Sequence, residues 1–312
     1  MPHLYQDAPV GSFPPDDELH GLVIRPDSIT WRRAGDPRLF LVSGYALLLQ
    51  VAHPTVGAGV RDHSNFEAAP WKRLLGTLDW LNLTVYGGAS AAAVGRRLRA
   101  YHRPIRGTNA DGSRYHALEP DAYAWVHATL VDALVLAHAR FGRPLRADQT
   151  DRLYREWVGL GRLIGLAAGA LPPRWSDFRV YFDEMVHARL EHHPTVDRVL
   201  EALRRPRRPT AALPGPLWSA AAFPAAHVVT LAAVGLLPPV LRERFGLSWS
   251  GRQECELAAL GAASRSLTPL MPRRLRIIGP DYLRLRHRQI GRGPFGSPGP
   301  AGQVAPPADP TQ

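Results

Sequence analysis

The chain has 312 residues, of which 45% are hydrophobic and 21% charged, so it can bury a sizeable core and is not a disordered polyelectrolyte. Its formal net charge is +11, and Lys72 is the only lysine among 38 basic residues. The arginines are dispersed, and the one dense cluster, at 204–209, is interrupted by prolines. We therefore do not expect nucleic acid as a partner. A single cysteine, Cys255, excludes an intramolecular disulfide and a cysteine metal site.

The first segment is rich in proline and aspartate, and residues 1–30 are predicted to form an irregular arm. It has early acidic residues and no basic run followed by an apolar run. We therefore predict no secretory signal and expect a cytoplasmic protein.

Helix signals follow the arm. Asp36–Pro37 combines a capping residue with a proline suited to a first helical position, which predicts a helix over 37–51. His53–Pro54 ends or bends this helix, and the glycines that follow predict irregular chain over 55–69. Two further helices are then predicted, over 70–86 and, with Ser90 as its cap, over 90–102.

The rest of the chain continues the helical pattern, and alternating strand patterns are nearly absent. Residues 107–112 have the composition of a loop, and the Gly/Pro-rich tail, 291–312, is predicted to be disordered. Helices are predicted over 121–141, 148–168, 176–191, 195–204, 217–235 and 250–265. No composition break divides them, so we expect one all-α domain over 31–290.

One long segment lacks acidic and basic side chains. Residues 209–241 contain no Asp, Glu, Lys or Arg and are numerous enough to span a bilayer. Five prolines interrupt the segment, however, and alanine, which contributes little to insertion, dominates its composition. We expect a buried pair of core helices rather than a transmembrane span, while peripheral contact with a membrane surface stays open.

The strongest chemical signal lies at the end of the helix predicted over 90–102. Arg99, His102 and Arg106 are spaced by three and four residues, which places them on one stripe of a helix. One imidazole between two guanidiniums suits a ligand that carries both a metal and negative charges, such as heme. Pro104 predicts that the helix bends or ends near His102, so the place of Arg106 on the stripe stays open.

The preceding helix adds Arg73 and Thr77, which are four residues apart and share one face. Taken alone, they suit a surface arginine and a threonine that bonds to the carbonyl four residues earlier. The short connection to the next helix, with Arg99 and His102, favours the interpretation that both helices face a common ligand.

Other histidines have competing interpretations. His127 lies among apolar residues of the helix predicted over 121–141, where a core residue and a ligand are both compatible with the pattern. Glu184 and His187 have the Glu-x-x-His spacing of di-iron helical bundles. No second copy of that spacing accompanies them, so a non-heme iron protein is kept only as an alternative.

Several ordered motifs together resemble the MpaB oxygenase family, which shares its catalytic domain with the rubber oxygenases called latex clearing proteins. The resemblance covers about residues 31–265. The motifs that carry it are Leu47–Pro54, Gly57–Val60, Asp62–Ser64, Arg73 to Thr77, Arg99 to His102, and Trp125–Leu130.

The resemblance implies an all-α heme b protein with a globin-like core. It assigns the proximal iron ligand to His102 and places Arg73 and Thr77 near the heme. Arg106 corresponds to the family's arginine four residues after the ligand, and His127 belongs to a further shared motif. Some rubber oxygenases have a second, lysine ligand just before the threonine; that position is Gly76 here, so lysine ligation is not expected.

The activity that the resemblance implies is oxidative and includes cleavage of carbon–carbon double bonds with O₂. The sequence therefore predicts a heme-dependent oxygenase that acts with O₂ or peroxide on a small apolar organic substrate. A heme-binding sensor or carrier without turnover needs the same ligand and is the main alternative. The oligomeric state is not predicted.

Overall fold

Helices make up nearly all of the regular structure in this computed structural model, which describes residues 16–109, 111–210, 214–272 and 276–290. The helices are α1 (Asp16–Leu22), α2 (Ile29–Arg33), α3 (Leu39–Val51), α4 (Pro54–His63), α5 (Pro70–Tyr86), α6 (Ala91–His102), α7 (Pro120–Phe141), α8 (Ala147–Leu163), α9 (Trp175–Ala188), α10 (Pro194–Arg204), α11 (Gly215–Gly235), α12 (Pro239–Arg244), α13 (Gly251–Leu267) and α14 (Gly279–Ile290). The predicted all-α class is confirmed.

The core is built around α3, which packs between α7 and α11. Leu48, Leu49 and Val51 are fully buried, as expected for a helix that is apolar on most of its circumference. The indole of Trp125 on α7 donates a 2.8 Å hydrogen bond to the carbonyl of Leu49. On the other side, a Cβ placed on Gly44 would lie only 2.8 Å from the Cβ of Ala233, so α3 and α11 are in close contact.

The prediction of an irregular arm over residues 1–30 is wrong for residues 16–30, which the structure describes. Asp16–Leu22 is helical, and α2 begins at Ile29. Packing against α8 stabilises the short helix α1, whose Leu19 is buried at 2% exposure. Residues 1–15 and the tail 291–312 lie outside the described residues.

The irregular stretch expected over 55–69 is also wrong in its first part, which forms α4. Pro54 occupies a first helical position, where its missing N–H costs nothing. Gly57 permits close packing, because a Cβ there would lie 2.7 Å from Nδ1 of His193. The hydroxyl of Thr195 donates a 2.9 Å bond to the carbonyl of Gly57, so contacts with α10 offset the low helix propensity of glycine.

A two-stranded antiparallel sheet replaces part of the loop predicted over 107–112. It consists of β1 (Arg106–Thr108) and β2 (Arg114–His116), with Gly107 opposite Tyr115. The hydroxyl of Tyr115 donates a 2.7 Å bond to Asp62 on α4, which holds the hairpin against that helix.

The expectation of a buried helix pair over 209–241 is wrong for α11. It is one helix, Gly215–Gly235, whose second half is buried and whose first half is largely exposed. Among the described residues, two single helices are long and apolar enough to cross a membrane. In their most apolar windows Pro120–Phe141 is 72% buried in the protein and Gly215–Gly235 only 33%. Composition could not distinguish a covered from an uncovered apolar helix.

Two helical glycines with opposite surroundings provide a test of this packing. A Cβ on Gly95 of α6 would overlap the carbonyl oxygen of Leu163, whereas a Cβ on Gly76 of α5 would meet nothing within 4 Å. We expect Gly95→Ala to lower the free energy of unfolding by about 3 kcal/mol, because a backbone carbonyl cannot easily move aside. The matched variant Gly76→Ala should raise it by about 0.5 kcal/mol through helix propensity.

Urea unfolding of both variants, without added heme, measures these changes. Equal effects of the two substitutions would contradict the close approach of α6 to the end of α8.

Candidate functional site

Helices α5 and α6 form a hairpin that carries most of the predicted site residues. They are joined at Gly88, whose φ of 55° lies in the left-handed region that glycine adopts without strain. Gly95 lets α6 approach the last carbonyl of α8, and one turn later Arg99 donates a 2.9 Å hydrogen bond from Nη1 to the carbonyl of Gly165. The end of α6 is therefore held at the end of α8.

His102 is the last residue of α6, and its imidazole is half-buried. Nδ1 lies 2.8 Å from the carbonyl oxygen of Leu98, one turn earlier. Because a carbonyl oxygen only accepts, this bond places the proton on Nδ1 and leaves the lone pair on Nε2. Burial lowers the pKa of His102, the bond to Leu98 opposes this, and the positive charge of Arg73 lowers it further. The ring is therefore neutral at physiological pH.

Two tyrosine rings flank this imidazole edge-on. The ring centroid of Tyr101 lies 5.4 Å and that of Tyr123, on α7, lies 5.9 Å from the centroid of His102. Tyr123 donates a 3.0 Å hydrogen bond to the carbonyl of Ile164, whereas Tyr101 is 58% exposed. One side of His102 thus meets a fixed aromatic ring, and another side opens toward solvent.

Arg73 and Thr77 lie on the exposed face of α5. The hydroxyl of Thr77 donates a 3.1 Å bond to the carbonyl of Arg73, which is the local bond expected for a threonine in a helix. The charge of Arg73 acts on His102, so the two helices bring these residues together. Gly76, one residue before Thr77, adjoins open space, because a Cβ there would meet nothing within 4 Å.

Arg106 does not share the stripe of Arg99 and His102. The α-helix ends at His102, and Arg106 begins strand β1, where its side chain is exposed and its carbonyl lies 3.0 Å from Nε2 of His63. Pro104 has no N–H to continue the helix, so the helical spacing is lost before residue 106.

His127 is buried between α7 and α8. Its Nε2 donates to the carbonyl of Trp157 at 2.8 Å, its ring stacks on that indole, and the Trp157 indole donates back to the carbonyl of His127 at 3.2 Å. It lies one turn beyond Tyr123 on α7. These contacts agree with the core interpretation of His127, and the structure does not bring it into contact with His102.

The donor set at α5 and α6 fits a heme. A neutral imidazole with a free Nε2 and with Nδ1 bonded to a carbonyl is the usual state of an iron-ligating histidine. The guanidiniums of Arg73 and Arg99, on the two adjoining helices, are cations of the kind that bind carboxylates such as propionates. In such a site His102 would hold the iron, and Arg73 and Arg99 would hold the carboxylates.

A non-heme iron centre finds no comparable support. Within the described parts of the chain, no group of three or more His, Cys, Asp or Glu side chains could hold a metal ion. Glu184 and His187 are exposed on α9, and Nδ1 of His187 bonds to the carbonyl of Asp183 at 2.9 Å.

Sequence reasoning missed a polar cavity of about 540 Å³ at the start of α4 and α7. Nε2 of the buried His53 lies 3.3 Å from Oδ2 of Asp121, and Nη2 of Arg189 lies 2.9 Å from the same oxygen. Burial raises the pKa of Asp121, but the hydrogen bonds from His53 and Arg189 outweigh it and hold this pKa below its usual value. The His53–Pro54 motif was the only signal, because the three residues are far apart in sequence.

Comparison with known proteins supports the sequence resemblance. A family model described as "ER-bound oxygenase mpaB/B'/Rubber oxygenase, catalytic domain" matches residues 31–266. This range includes α5, α6 and α7, which carry the residues around His102. No curated protein and no solved structure matches the chain.

The buried state of His127 predicts a pH effect on stability. Burial lowers its pKa to about 4, and the hydrogen bond to Trp157 opposes this only in part. The unfolded chain binds a proton near pH 6.5, so stability falls as the pH drops from 7 towards 4. Between pH 7 and pH 5 this residue should account for a loss of about 2 kcal/mol.

Urea unfolding at both pH values measures this loss. The variant His127→Gln should reduce the pH dependence by about that amount. His187→Gln, on the exposed face of α9, should leave it unchanged. An unaltered pH dependence in His127→Gln would show that folding does not shift the pKa of His127.

Proposed function

The chain belongs to the mpaB/rubber oxygenase family, and on that premise we propose that it is a heme b-dependent oxygenase acting on a small apolar organic substrate. An oxygenase catalytic domain makes the protein an oxidoreductase that uses O₂ and an organic substrate. The identity of the cofactor, the role of peroxide as an alternative oxidant and the cleavage of a C=C bond are the proposed refinements. The observation that supports heme as the cofactor is the state of His102.

His102 is the residue we assign to iron. Its Nδ1–H is committed to Leu98, its pKa is lowered, and its Nε2 carries a lone pair. The bond to Leu98 also fixes the orientation of the ring, which makes the ligand more basic and better placed than a freely rotating imidazole.

Arg99 and Arg73 are the cations we assign to the propionates. Arg99 is partly buried and tied to Gly165, whereas Arg73 is exposed and can reorient. Arg106 is left out of this set because strand β1 carries it away from the helix. His127 is left out because its Nε2 is bonded to Trp157.

Heme, when bound, would supply the redox chemistry with the oxidant. The exposed ring of Tyr101 then provides apolar surface beside His102 against which an apolar substrate can pack. The hydroxyl hydrogen of Thr77 is donated to Arg73, so Thr77 can donate to an oxidant only after that bond breaks. Cleavage of a C=C bond by O₂ places one oxygen atom in each of two carbonyl products and needs no external reductant.

The first test concerns heme loading. We expect His102→Ala to lose most of its heme, measured as pyridine hemochrome per polypeptide after expression with hemin, because it removes the only proposed iron ligand. His187→Ala is the matched control, since its ring is exposed on α9 and belongs to the non-heme alternative. Both variants should retain the helical circular dichroism of the unmodified chain.

Full heme loading of His102→Ala would remove His102 from its role. Loss of bound iron in His187→Ala, from a protein that contains no heme, would favour the non-heme alternative instead.

The second test concerns turnover. The heme-loaded protein is incubated with squalene and ¹⁸O₂ without a reductant, and both O₂ uptake and carbonyl products are measured. We expect carbonyl fragments that carry one ¹⁸O atom each. Reversible O₂ binding that yields no product, either with O₂ or with peroxide, would favour a sensor or carrier. Product that forms only when a reductant is added would contradict C=C cleavage by O₂ alone.

A further inference from the structure

The first half of α11 is an exposed apolar surface. Leu217 is 64% exposed and Phe223 81% exposed, although both are large apolar side chains. Residues 209–241 contain no Asp, Glu, Lys or Arg, so no charged side chain of this helix shields them. Exposed apolar surface of this kind is typical of a site that binds another protein or a membrane.

The second half of α11 is fixed in the core. Leu231, Ala232 and Ala233 are at most 7% exposed, and Ala233 lies against Gly44 of α3. A bilayer-spanning position for the whole helix would withdraw these side chains from the contact with α3. The uncovered surface is therefore suited to lie along an interface while the other end of the helix stays packed.

A basic loop lies directly beside this surface. Arg204, Arg205 and Arg207 are exposed and precede α11 in the chain. The guanidinium of Arg208 lies 3.7 Å from the position of a Cβ on Gly215, the first residue of the helix. The loop therefore adjoins the apolar surface in space and not only in sequence.

Two indoles join the loop to the helix. Trp71 on α5 donates a 2.7 Å bond to the carbonyl of Arg207, and Trp218 on α11 donates a 3.3 Å bond to the carbonyl of Pro206. The two rings meet edge-on at 5.8 Å. Tryptophans of this kind, with an apolar ring and a polar N–H, favour the boundary between lipid and water.

Nearby acidic groups do not cancel the positive charge of the loop. Glu201 pairs with Arg205 at 3.1 Å, and Glu67 pairs with Arg198 on the adjoining helix α10. Arg204 and Arg207 stay in excess of these carboxylates. A second copy of the chain, docked through the same surface, would bring the same arginines together, whereas a negatively charged lipid surface complements them.

We propose that the first half of α11 and the arginines of residues 204–207 form a docking surface for an anionic lipid bilayer. The apolar side chains enter the boundary between headgroups and acyl chains, and the arginines bind lipid phosphates. The protein attaches peripherally through this surface. The proposal depends neither on heme nor on turnover.

Sedimentation of the full chain with vesicles tests the proposal. We expect binding to vesicles of phosphatidylcholine and phosphatidylserine, at least about tenfold weaker binding to phosphatidylcholine alone, and release by high salt. Phe223→Ser should weaken binding about tenfold because it removes apolar area at the interface. The triple variant Arg204→Ala, Arg205→Ala, Arg207→Ala should reduce binding to the level seen with neutral vesicles.

Val180→Ser is the matched control, since Val180 on α9 is 60% exposed and lies outside the proposed surface. This substitution should leave vesicle binding unchanged. Thermal unfolding confirms that each variant folds. The proposal is overturned by absence of vesicle binding, by equal binding of Phe223→Ser, or by retention at high salt and alkaline pH, which indicates a span. A dimer that Phe223→Ser dissociates, without vesicle binding, would assign the surface to a second copy.

Discussion

The arrangement of the site depends on the close approach of α6 to the end of α8. A helix leaves its last carbonyl groups without partners, and their dipoles leave partial negative charge there. Gly95 brings α6 against Leu163, which lets Arg99 bond to Gly165, and Tyr123 of α7 bonds to the neighbouring carbonyl of Ile164. The contacts that satisfy the end of α8 therefore hold Arg99 and Tyr123, the residue whose ring lies beside His102.

In this arrangement Arg99 bonds to a backbone carbonyl and is also the residue proposed to bind a propionate. Its Nη1 satisfies a backbone carbonyl, yet a guanidinium has five N–H donors in a planar fork. The fork of a guanidinium can bond a carbonyl and an anionic ligand at once, and a lysine, which is a point charge on a flexible stem, would not reproduce both contacts. Orientation by the end of α8 is thus compatible with recognition of a propionate.

Local signals in the sequence predicted the helices that carry the site. Pro70 and the Gly87–Gly88 pair mark the ends of α5, and the predicted and observed bounds of that helix agree. The irregular interpretation of α4 failed because contacts with α10, more than a hundred residues later, outweigh its glycines. Strands of three residues carry no alternation, so β1 and β2 were not predictable.

The exposed half of α11 was likewise unpredictable, since composition does not state which apolar helix the rest of the protein covers.

The half-buried His102 and the exposed His187 both bond through Nδ1 to the carbonyl one turn earlier, whereas other histidines use Nε2. Nε2 of His127 is bonded to Trp157, that of His116 to Arg103, and that of His63 to Arg106. In His53, Nε2 faces Asp121, while Nδ1 is buried without a hydrogen-bond partner among the described residues.

His102 differs from the histidines that use Nε2 because its internal bond uses Nδ1 and spares the more distal Nε2. An i to i+3 pattern can place an arginine and a histidine on one face, but it cannot specify this tautomer. The tautomer follows from the end of α6, where the carbonyl of Leu98 lies within reach of Nδ1 and accepts its proton. Burial and the charge of Arg73 then keep the ring neutral, and these two contributions both come from tertiary packing.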